Sequence, residues 1–461
     1  MSSKHQRNLI AIAALAALYF LVAKLSLTLA YAHPSASPVW PCTGIVLAAF
    51  LILGYEVWPA VFIGAFLANL TTAGSIATSV GIATGNTLEG LVGAYLVMRF
   101  ANGRNAFQHT HNAFKFALLA GMFSTAISAT FGVTSLALGG YASWSQFGSI
   151  WSTWWLGDAV GNLVVAPLLI LWVSHPLPQW RGSQLFEALA LFECLILVGE
   201  VVFGGFLRFG TQNYPLEYLC IPVLLWAGFR FGQREAALAT LALSGMATWG
   251  TLHGFGPFAR GGHNESLLLL QSFVGVVSVM TMSLATVFAE RHRAEEQAQF
   301  LAVSDPLTGL GNYRKLIDTL EAEIKRSDRT ERPFAVLLMD LDGLKTLNDA
   351  HGHLAGNRAL CRLAQVLRIH CRDTDTPARY GGDEFALIMP EAGLEAALQV
   401  GRRICERLVL DGEEPPISVS FGAALCPDDG TRADLLLRAA DSRLYAMKRR
   451  PRQSEPYLER R

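Results

Sequence analysis

The sequence predicts a multi-span α-helical membrane domain followed by a soluble α/β domain. Three observations carry that expectation. Charge is unevenly divided: the 461 residues hold 37 basic and 37 acidic side chains, yet only 20 of those 74 fall in residues 1 to 288. Apolar segments approaching the ~20 residues of a bilayer crossing recur through that first part. Beyond it, a buried-strand pattern ends in carboxylates, where an α/β domain places a ligand crevice. The length suits two to four domains, and no nucleic-acid partner is expected.

Lys4 and Arg7 precede the first apolar segment, about 9 to 31. Ala30-Tyr31-Ala32 looks like a signal-peptidase site, but the run is long for a signal core and Lys24 interrupts it, so this span is expected to stay. Further segments lie at about 39–54, 57–72, 76–98, 114–138, 150–173, 186–207, 215–229, 235–252 and 267–289, giving about ten spans. The second, third and eighth are short and carry Pro41, Pro59 and Pro222, so eight spans with one re-entrant pair is the alternative. An inside start puts Arg99, Arg104, Lys115, Arg181, Arg230, Arg234, Arg291 and Arg293 in the cytoplasm. Arg208 and Arg260 are the exceptions. Either count leaves the soluble part inside the cell.

Ionisable groups at membrane depth are costly, which makes Glu89 with Asn86, Asp158, Glu193 and Glu200 candidates for either ligand binding or helix packing. Glu193 and Glu200 stand two turns apart on one helix face. His253 and His263, near an outer end, read as solvated loop residues. Seven cysteines without a CxxC pair read as reduced thiols.

From Ala289 to Leu301 there is no Gly or Pro, so the last membrane helix is expected to continue into the cytoplasm as a linker over 289–303. Val287, Ala294, Ala298 and Leu301 keep a thin heptad seam, interrupted by Arg291, that suits a short parallel coiled coil.

The soluble part, 304–461, opens with the turn-rich Ser304-Asp305-Pro306-Leu307-Thr308-Gly309-Leu310-Gly311-Asn312. A helix is expected from about Tyr313 to Arg326, then a buried strand, Phe334 to Met339, ending in Asp340-Leu341-Asp342. A helix over about 357–371 leads to Arg372-Asp373-Thr374-Asp375. A strand is expected over Ile417–Ala423, and Asp441 to Arg450 belongs to the last helix. Between them stands Arg379-Tyr380-Gly381-Gly382-Asp383-Glu384-Phe385, followed by an apolar run. Two glycines allow a tight turn against a nucleotide, adjacent carboxylates can hold a hard cation, and a strand on either side would make a hairpin.

With the opening string at its spacing, this stretch resembles the GGDEF domain of diguanylate cyclases over roughly Asp305 to Gln453. The membrane half is similar to the MASE class of bacterial membrane sensory domains. That likeness rests on Trp40-Pro41-Cys42-Thr43-Gly44, Trp58-Pro59, Gly64-Ala65-Phe66-Leu67-Ala68-Asn69, Gly85-Asn86-Thr87-Leu88-Glu89 and Trp154-Trp155-Leu156-Gly157-Asp158 running to Pro167.

The resemblance implies a nucleotide-cyclase-like α+β sandwich in a homodimer at the bacterial inner membrane, condensing two GTP into cyclic di-GMP. It assigns two Mg2+ ions, with Mn2+ as an alternative, to Asp340, the Leu341 carbonyl, Asp383 and Glu384. It makes Glu384 the candidate base and gives Lys345 to phosphate charge, Asn348 and Asn357 to guanine, and Lys448 and Arg452 to the triphosphate. Arg372 and Asp375 match its product-binding inhibitory site. The sequence departs from the family at Asn357, commonly Asp, and at Pro451 and Gln453, commonly Gly and Asn. Two rivals remain: a receptor that only binds cyclic di-GMP, and a transporter with an appended regulator.

Overall fold

The computed structural model describes residues 3–29, 37–72, 75–174, 182–204, 215–259, 262–411 and 414–449. It divides into two compact units, Met1–Arg293 and Ala294–Arg461.

The first unit is helical among its described residues. Its helices are α1 (Ser3–Leu27), α2 (Pro41–Leu53), α3 (Trp58–Leu70), α4 (Ile76–Phe100), α5 (Thr110–Phe116), α6 (Thr125–Leu138), α7 (Phe147–Ser174), α8 (Gly182–Phe203), α9 (Cys220–Arg230), α10 (Gln233–Leu252) and α11 (His263–Val303). Each of the ten apolar segments forms helix over most of its described residues. Among the described residues four stretches, Asn8–Leu27, Thr110–Leu138, Trp144–Ser174 and Asn264–Val303, are long and apolar enough to cross a membrane. Helices α2 and α3 are much shorter, with 13 residues each. At a rise of about 1.5 Å per residue each is about 20 Å long, against a hydrocarbon core of about 30 Å. Pro41 and Pro59 stand in the first turns of these helices, where a missing N–H leaves no bond unmade, so they start helices rather than break them. The string at 30–32 and Arg181, Arg208 and Arg260 lie outside the described residues.

Between α5 and α6 the backbone takes a π-helical turn, Ala117–Phe123. Such turns leave carbonyls in need of donors. Two side chains of α7 serve them: Asn162 Nδ2 donates to Ala120 at 2.7 Å and Trp155 Nε1 to Met122 at 2.9 Å. Helices α2 and α7 approach closely enough that a Cβ on Gly44 would strike the Gly161 carbonyl, which gives the Trp-Pro-Cys-Thr-Gly string its packing reason. From within α11, Glu290 fastens the start of α5. Glu290 accepts from the Thr110 backbone N–H at 3.0 Å and pairs with His109 Nδ1 at 2.8 Å. It acts as an N-cap supplied by another helix.

Glu193 is exposed on α8 and Glu200 half-buried, so they form no common buried site. His253 accompanies the end of α10, its ring stacked on Trp249 at 4.5 Å. The side chain of His263 lies outside the described residues. All seven cysteines are free.

Helix α11 runs unbroken to Val303, as its composition predicted, and its part from Ala294 belongs to the second unit. There follow α12 (Tyr313–Thr330), β1 (Phe334–Leu341), α13 (Leu344–His351), α14 (His353–His370), β2 (Thr376–Gly381), β3 (Glu384–Pro390), α15 (Leu394–Leu410), β4 (Val419–Cys426) and α16 (Ala433–Arg449). The sheet order is β2-β3-β1-β4, antiparallel throughout.

Strand β1 is buried along its whole length, and its alternation sorts two cores. Ala335, Leu337 and Met339 pack with α14 and α15, while Phe334, Val336 and Leu338 pack with α12 and α16. The result is an α/β sandwich with a central antiparallel sheet.

Strand β4 begins at Val419 rather than Ile417, and just before it the Ser418 carbonyl accepts from the backbone N–H of Asp342, beyond the end of β1. The sequence reading lacked α13 and α15. Helix α15 nonetheless buries Ala397, Val400, Gly401, Ile404 and Leu408, spaced for one helix face.

Candidate active site

The site lies at the carboxyl end of β1. By parity Asp340 faces the α12/α16 side, and its neighbours in register are Glu384 on β3 and Ser420 on β4. Asp340 is 7% exposed, and its Oδ1 receives Lys448 Nζ from α16 at 2.7 Å. One residue on, the Leu341 N–H donates to the Asp383 carbonyl at 3.0 Å, holding the β2–β3 turn against the end of β1. Asp342 is tied instead to β4: Ser418 Oγ and Ser420 Oγ each donate to its carboxylate at 2.8 Å. Of the two aspartates in the string, Asp342 fastens strands and Asp340 faces the site.

Gly382 sits at φ +47°, the left-handed turn position that its lack of a Cβ permits. Its carbonyl is gripped by Arg379, which donates from Nε at 3.0 Å and Nη2 at 2.6 Å. The same guanidinium reaches back to Asp305 at 3.2 Å, and Asp305 accepts from the Thr308 N–H and hydroxyl at 2.8 and 2.7 Å. The opening turn is thereby joined to the glycine turn through one arginine. Burial pushes the Asp305 carboxyl up, but the bonds from Thr308 and the charge of Arg379 outweigh it and hold the group below its ordinary value.

The acidic cluster carries the opposite strain. Burial raises the Asp340 carboxyl above its ordinary range despite Lys448, and Asp383 and Asp342 add to the rise. Burial also raises Glu384, with Asp340, Asp383 and Asp441 reinforcing it. The place is short of positive charge. Among the described residues no three His, Cys, Asp or Glu side chains converge into a cation site by themselves. Carboxylate and carbonyl oxygens that repel one another fit a hard divalent cation whose coordination a phosphate ligand completes.

Asn348 on α13 leaves Oδ1 buried without a hydrogen-bond partner, and a Cβ on Gly356 would collide with that oxygen. Asn357 is exposed on the first turns of α14, and Lys345 is exposed on the first turn of α13. At the α14–β2 corner, Asp375 Oδ2 accepts from the Arg372 backbone N–H at 2.8 Å, so the pair is a turn rather than a side-chain ion pair. The Arg372 side chain is exposed. A cavity of about 390 Å3 adjoins Glu384 between α12, the sheet and α16, with Tyr313, Tyr380, Arg438 and Asp441 on its walls. Arg452, Pro451 and Gln453 lie outside the described residues.

The structure thus gathers Asp340, Leu341, Asp383, Glu384 and Lys448 at one strand end. It sets Asn348 and Asn357 on the α13–α14 pair, and Arg372 and Asp375 on a separate corner. The roles of Arg379, Asp342 and Gly356 were missed in the sequence. Arg379 carried a signal, since an arginine just before paired glycines can reach the carbonyls of their turn.

The MASE1 family profile matches residues 11–292, and that of the diguanylate cyclase GGDEF domain matches residues 302–454. The chain is 30% identical over 317 residues to the bifunctional diguanylate cyclase/cyclic di-GMP phosphodiesterase MucR of Pseudomonas aeruginosa, covering 68% of this chain and 42% of that protein. It is 37% identical over 165 residues to the diguanylate cyclase DgcP of the same species, covering 34% and 24% respectively. A solved sensory box/GGDEF family protein from Caulobacter crescentus is 38% identical, with 32% of this chain and 97% of that one covered, at a TM-score of 0.30. The chain spans less than half the length of these two curated relatives.

Proposed function

We infer that this chain, which belongs to the MASE1 family and carries a GGDEF domain behind its membrane-type helices, is a membrane-bound diguanylate cyclase. It condenses two GTP into cyclic di-GMP and releases two pyrophosphates. The observation that carries this reading is the facing pair Asp340 and Glu384, with Lys448 on Asp340 at 2.7 Å and both carboxyls raised by burial and by neighbouring carboxylates. Such a place is built to receive cation and phosphate together.

GGDEF cyclases generally use divalent metal ions, and we assign Mg2+, two per site with Mn2+ as substitute, to Asp340, the Leu341 carbonyl, Asp383 and Glu384. The metal would neutralise phosphate charge. Lys448 and Lys345 bind the triphosphate, with Arg452 as their partner by family likeness. Asn348 and Asn357 take the guanine edge, and Gly356 keeps the space that Asn348 Oδ1 needs. Glu384 accepts the proton of the 3'-hydroxyl as that oxygen attacks the α-phosphorus of the other GTP.

Each domain holds one GTP, so two copies must meet, and the heptad seam of α11 suits a parallel homodimer. Arg372 and Asp375 bind the product and inhibit. Helices of the first unit lie in the inner membrane, with the N-terminus and the GGDEF domain in the cytoplasm, and regulate turnover. Full-length protein in membranes, given GTP and Mg2+, should form cyclic di-GMP, and Glu384→Gln should not. Binding of cyclic di-GMP without any synthesis would replace the cyclase by a receptor.

A further inference from the structure

Helices α4 and α7 bring Glu89, Asp158 and Asn162 together, at 2%, 1% and 1% exposure. The two carboxyls are electrostatic neighbours. No ion pair among the described residues includes either one. The titratable groups facing them are Tyr19 from α1 and Cys42 from α2, and neither supplies a positive charge.

The nearby donors Ser128 and Trp154 also interact with the acidic pair, yet their own hydrogen bonds run to other acceptors. Trp154 Nε1 donates to Ser128 Oγ at 3.1 Å, Ser128 Oγ to Asn86 Oδ1 at 2.8 Å, and Asn86 Nδ2 to the Tyr19 hydroxyl at 2.9 Å. Asn162 turns its amide nitrogen to Ala120 O. The Thr43 hydroxyl serves only Asp158 Oδ1, at 3.1 Å. That leaves three buried oxygens without a partner: Glu89 Oε1, Asp158 Oδ2 and Asn162 Oδ1. Between α1, α2, α4 and α7 lies a cavity of about 10 Å3, with Tyr19, Thr43, Asn86, Glu89, Ser124 and Asn162 on its walls, and Asp158 stands behind Thr43, from whose hydroxyl it accepts. That is about the room one water-sized particle needs.

Unserved acceptors of Glu89 and Asn162 on a space of that size, with Asp158 beside it, call for positive charge. Two facing carboxylates in an apolar interior call for it too. We propose that Glu89, Asp158 and Asn162 form a binding site for one small monovalent cation, a sodium ion or a proton. Carboxylate, amide and hydroxyl oxygens are the hard donors that such an ion takes. Asn162 is independent of the acidic pair, because its oxygen lacks a partner whatever the charge of the carboxyls. The same residue ties α7 to the π-helical turn, so occupancy at Oδ1 acts on the side chain that holds that turn. The inference does not depend on the cyclase reading, and its test reads stability rather than turnover.

The test takes full-length protein in lipid nanodiscs and follows thermal unfolding by tryptophan fluorescence. Sodium is titrated at constant ionic strength against potassium and choline, from mildly acid to mildly alkaline pH. If sodium is the ion, Tm rises saturably with sodium, and the half-saturating concentration grows as protons compete. If the proton is the ion, the wild-type curve depends on pH and ignores sodium.

Glu89→Gln removes the sodium dependence in the first arm, and in the second it flattens the pH dependence of the helical unit's transition relative to wild type, while the part that comes from groups such as Asp305 remains in both proteins. Asn162→Ala keeps both carboxyls and shifts the midpoint by roughly five- to 150-fold in ion concentration, the scale of one lost bond to a charged partner. Should Glu89→Gln fail to fold, the Asn162→Ala shift decides. A wild-type Tm indifferent to sodium and pH overturns the proposal, as does a response identical in wild type and both variants.

Discussion

Lys448 Nζ stands 2.7 Å from Asp340 Oδ1, a cation from the last helix on the carboxylate at the end of the central strand. The contact already answers part of the site's shortage of positive charge, and an arriving triphosphate would compete with Asp340 for it. Lys448→Met should therefore cut cyclic di-GMP synthesis by about 10²-fold, the usual scale for losing one charge-stabilising donor. The assay is initial-rate turnover of GTP in membranes, and wild-type rates in the variant would contradict the assignment.

Glu384→Gln should separate activity from stability. Synthesis should fall by roughly 10²- to 10⁴-fold if the carboxylate takes the proton. At neutral pH the variant should also melt slightly later, because the amide ends repulsion from Asp340, Asp383 and Asp441. Glu384 is only partly buried, so the gain is small, at most about 0.5 kcal/mol. A lower Tm would mean that the carboxylate makes a supporting contact in the fold.

Asp305→Asn removes the charge that Arg379 and Thr308 address. At neutral pH it should destabilise the fold by about 2 kcal/mol, the scale of hydrogen bonds to a charged acceptor. The Asp305 carboxyl is held below its ordinary value, so its contribution is fully present above the unfolded-state pKa. It disappears as pH falls through the lower folded-state value. Unfolding curves of wild type and variant should thus converge in acid, and a gap that stays constant with pH would refute the charge argument.

Arg372→Ala should leave initial rates near wild type and relieve inhibition by accumulated product. The turn itself should survive, because Asp375 bonds to the backbone N–H of residue 372 and not to the side chain. An unchanged product-inhibition curve would remove Arg372 from the inhibitory site.

The guanine site offers two changes of opposite sign. Asn357→Asp provides a carboxylate for both guanine donors and should lower the KM for GTP by roughly five- to 150-fold while sharpening selection against ATP. Gly356→Ala drives a Cβ into Asn348 Oδ1 and should raise that KM. Equal GTP selection by residue 357 as Asn or Asp would leave base recognition to Asn348 and the backbone.

Much of the second unit was legible because its signals are local. The buried run of β1, the glycine turn and the helix after Asn312 each announce themselves within a short window. The contacts that set roles join distant positions. Asp342 meets Ser418 and Ser420 across β1 and β4, and Arg379 meets Asp305, so periodicity could not reveal them. In the first unit, ranking ionisable residues by membrane depth placed Glu89 beside Glu193. Only packing tells them apart: Glu89 is 2% exposed against Asp158, whereas Glu193 lies exposed on α8. Helix α13 was missed because it buries no residue fully and therefore carries little apolar pattern.

The opening turn bears on how this catalytic module can be moved between proteins. Asn312 closes back on the end of α11, its N–H donating to Val303 O at 2.9 Å and its Nδ2 to Ala302 O at 3.0 Å, while Arg379 ties Asp305 to Gly382. The heritable unit therefore includes the last residues of the helix as well as the sheet. A chimera joined upstream of Ala302 transplants the turn, the arginine and the glycine carbonyl as one piece. A junction placed at Tyr313, where the first helix of the module starts, strands Arg379 without its aspartate.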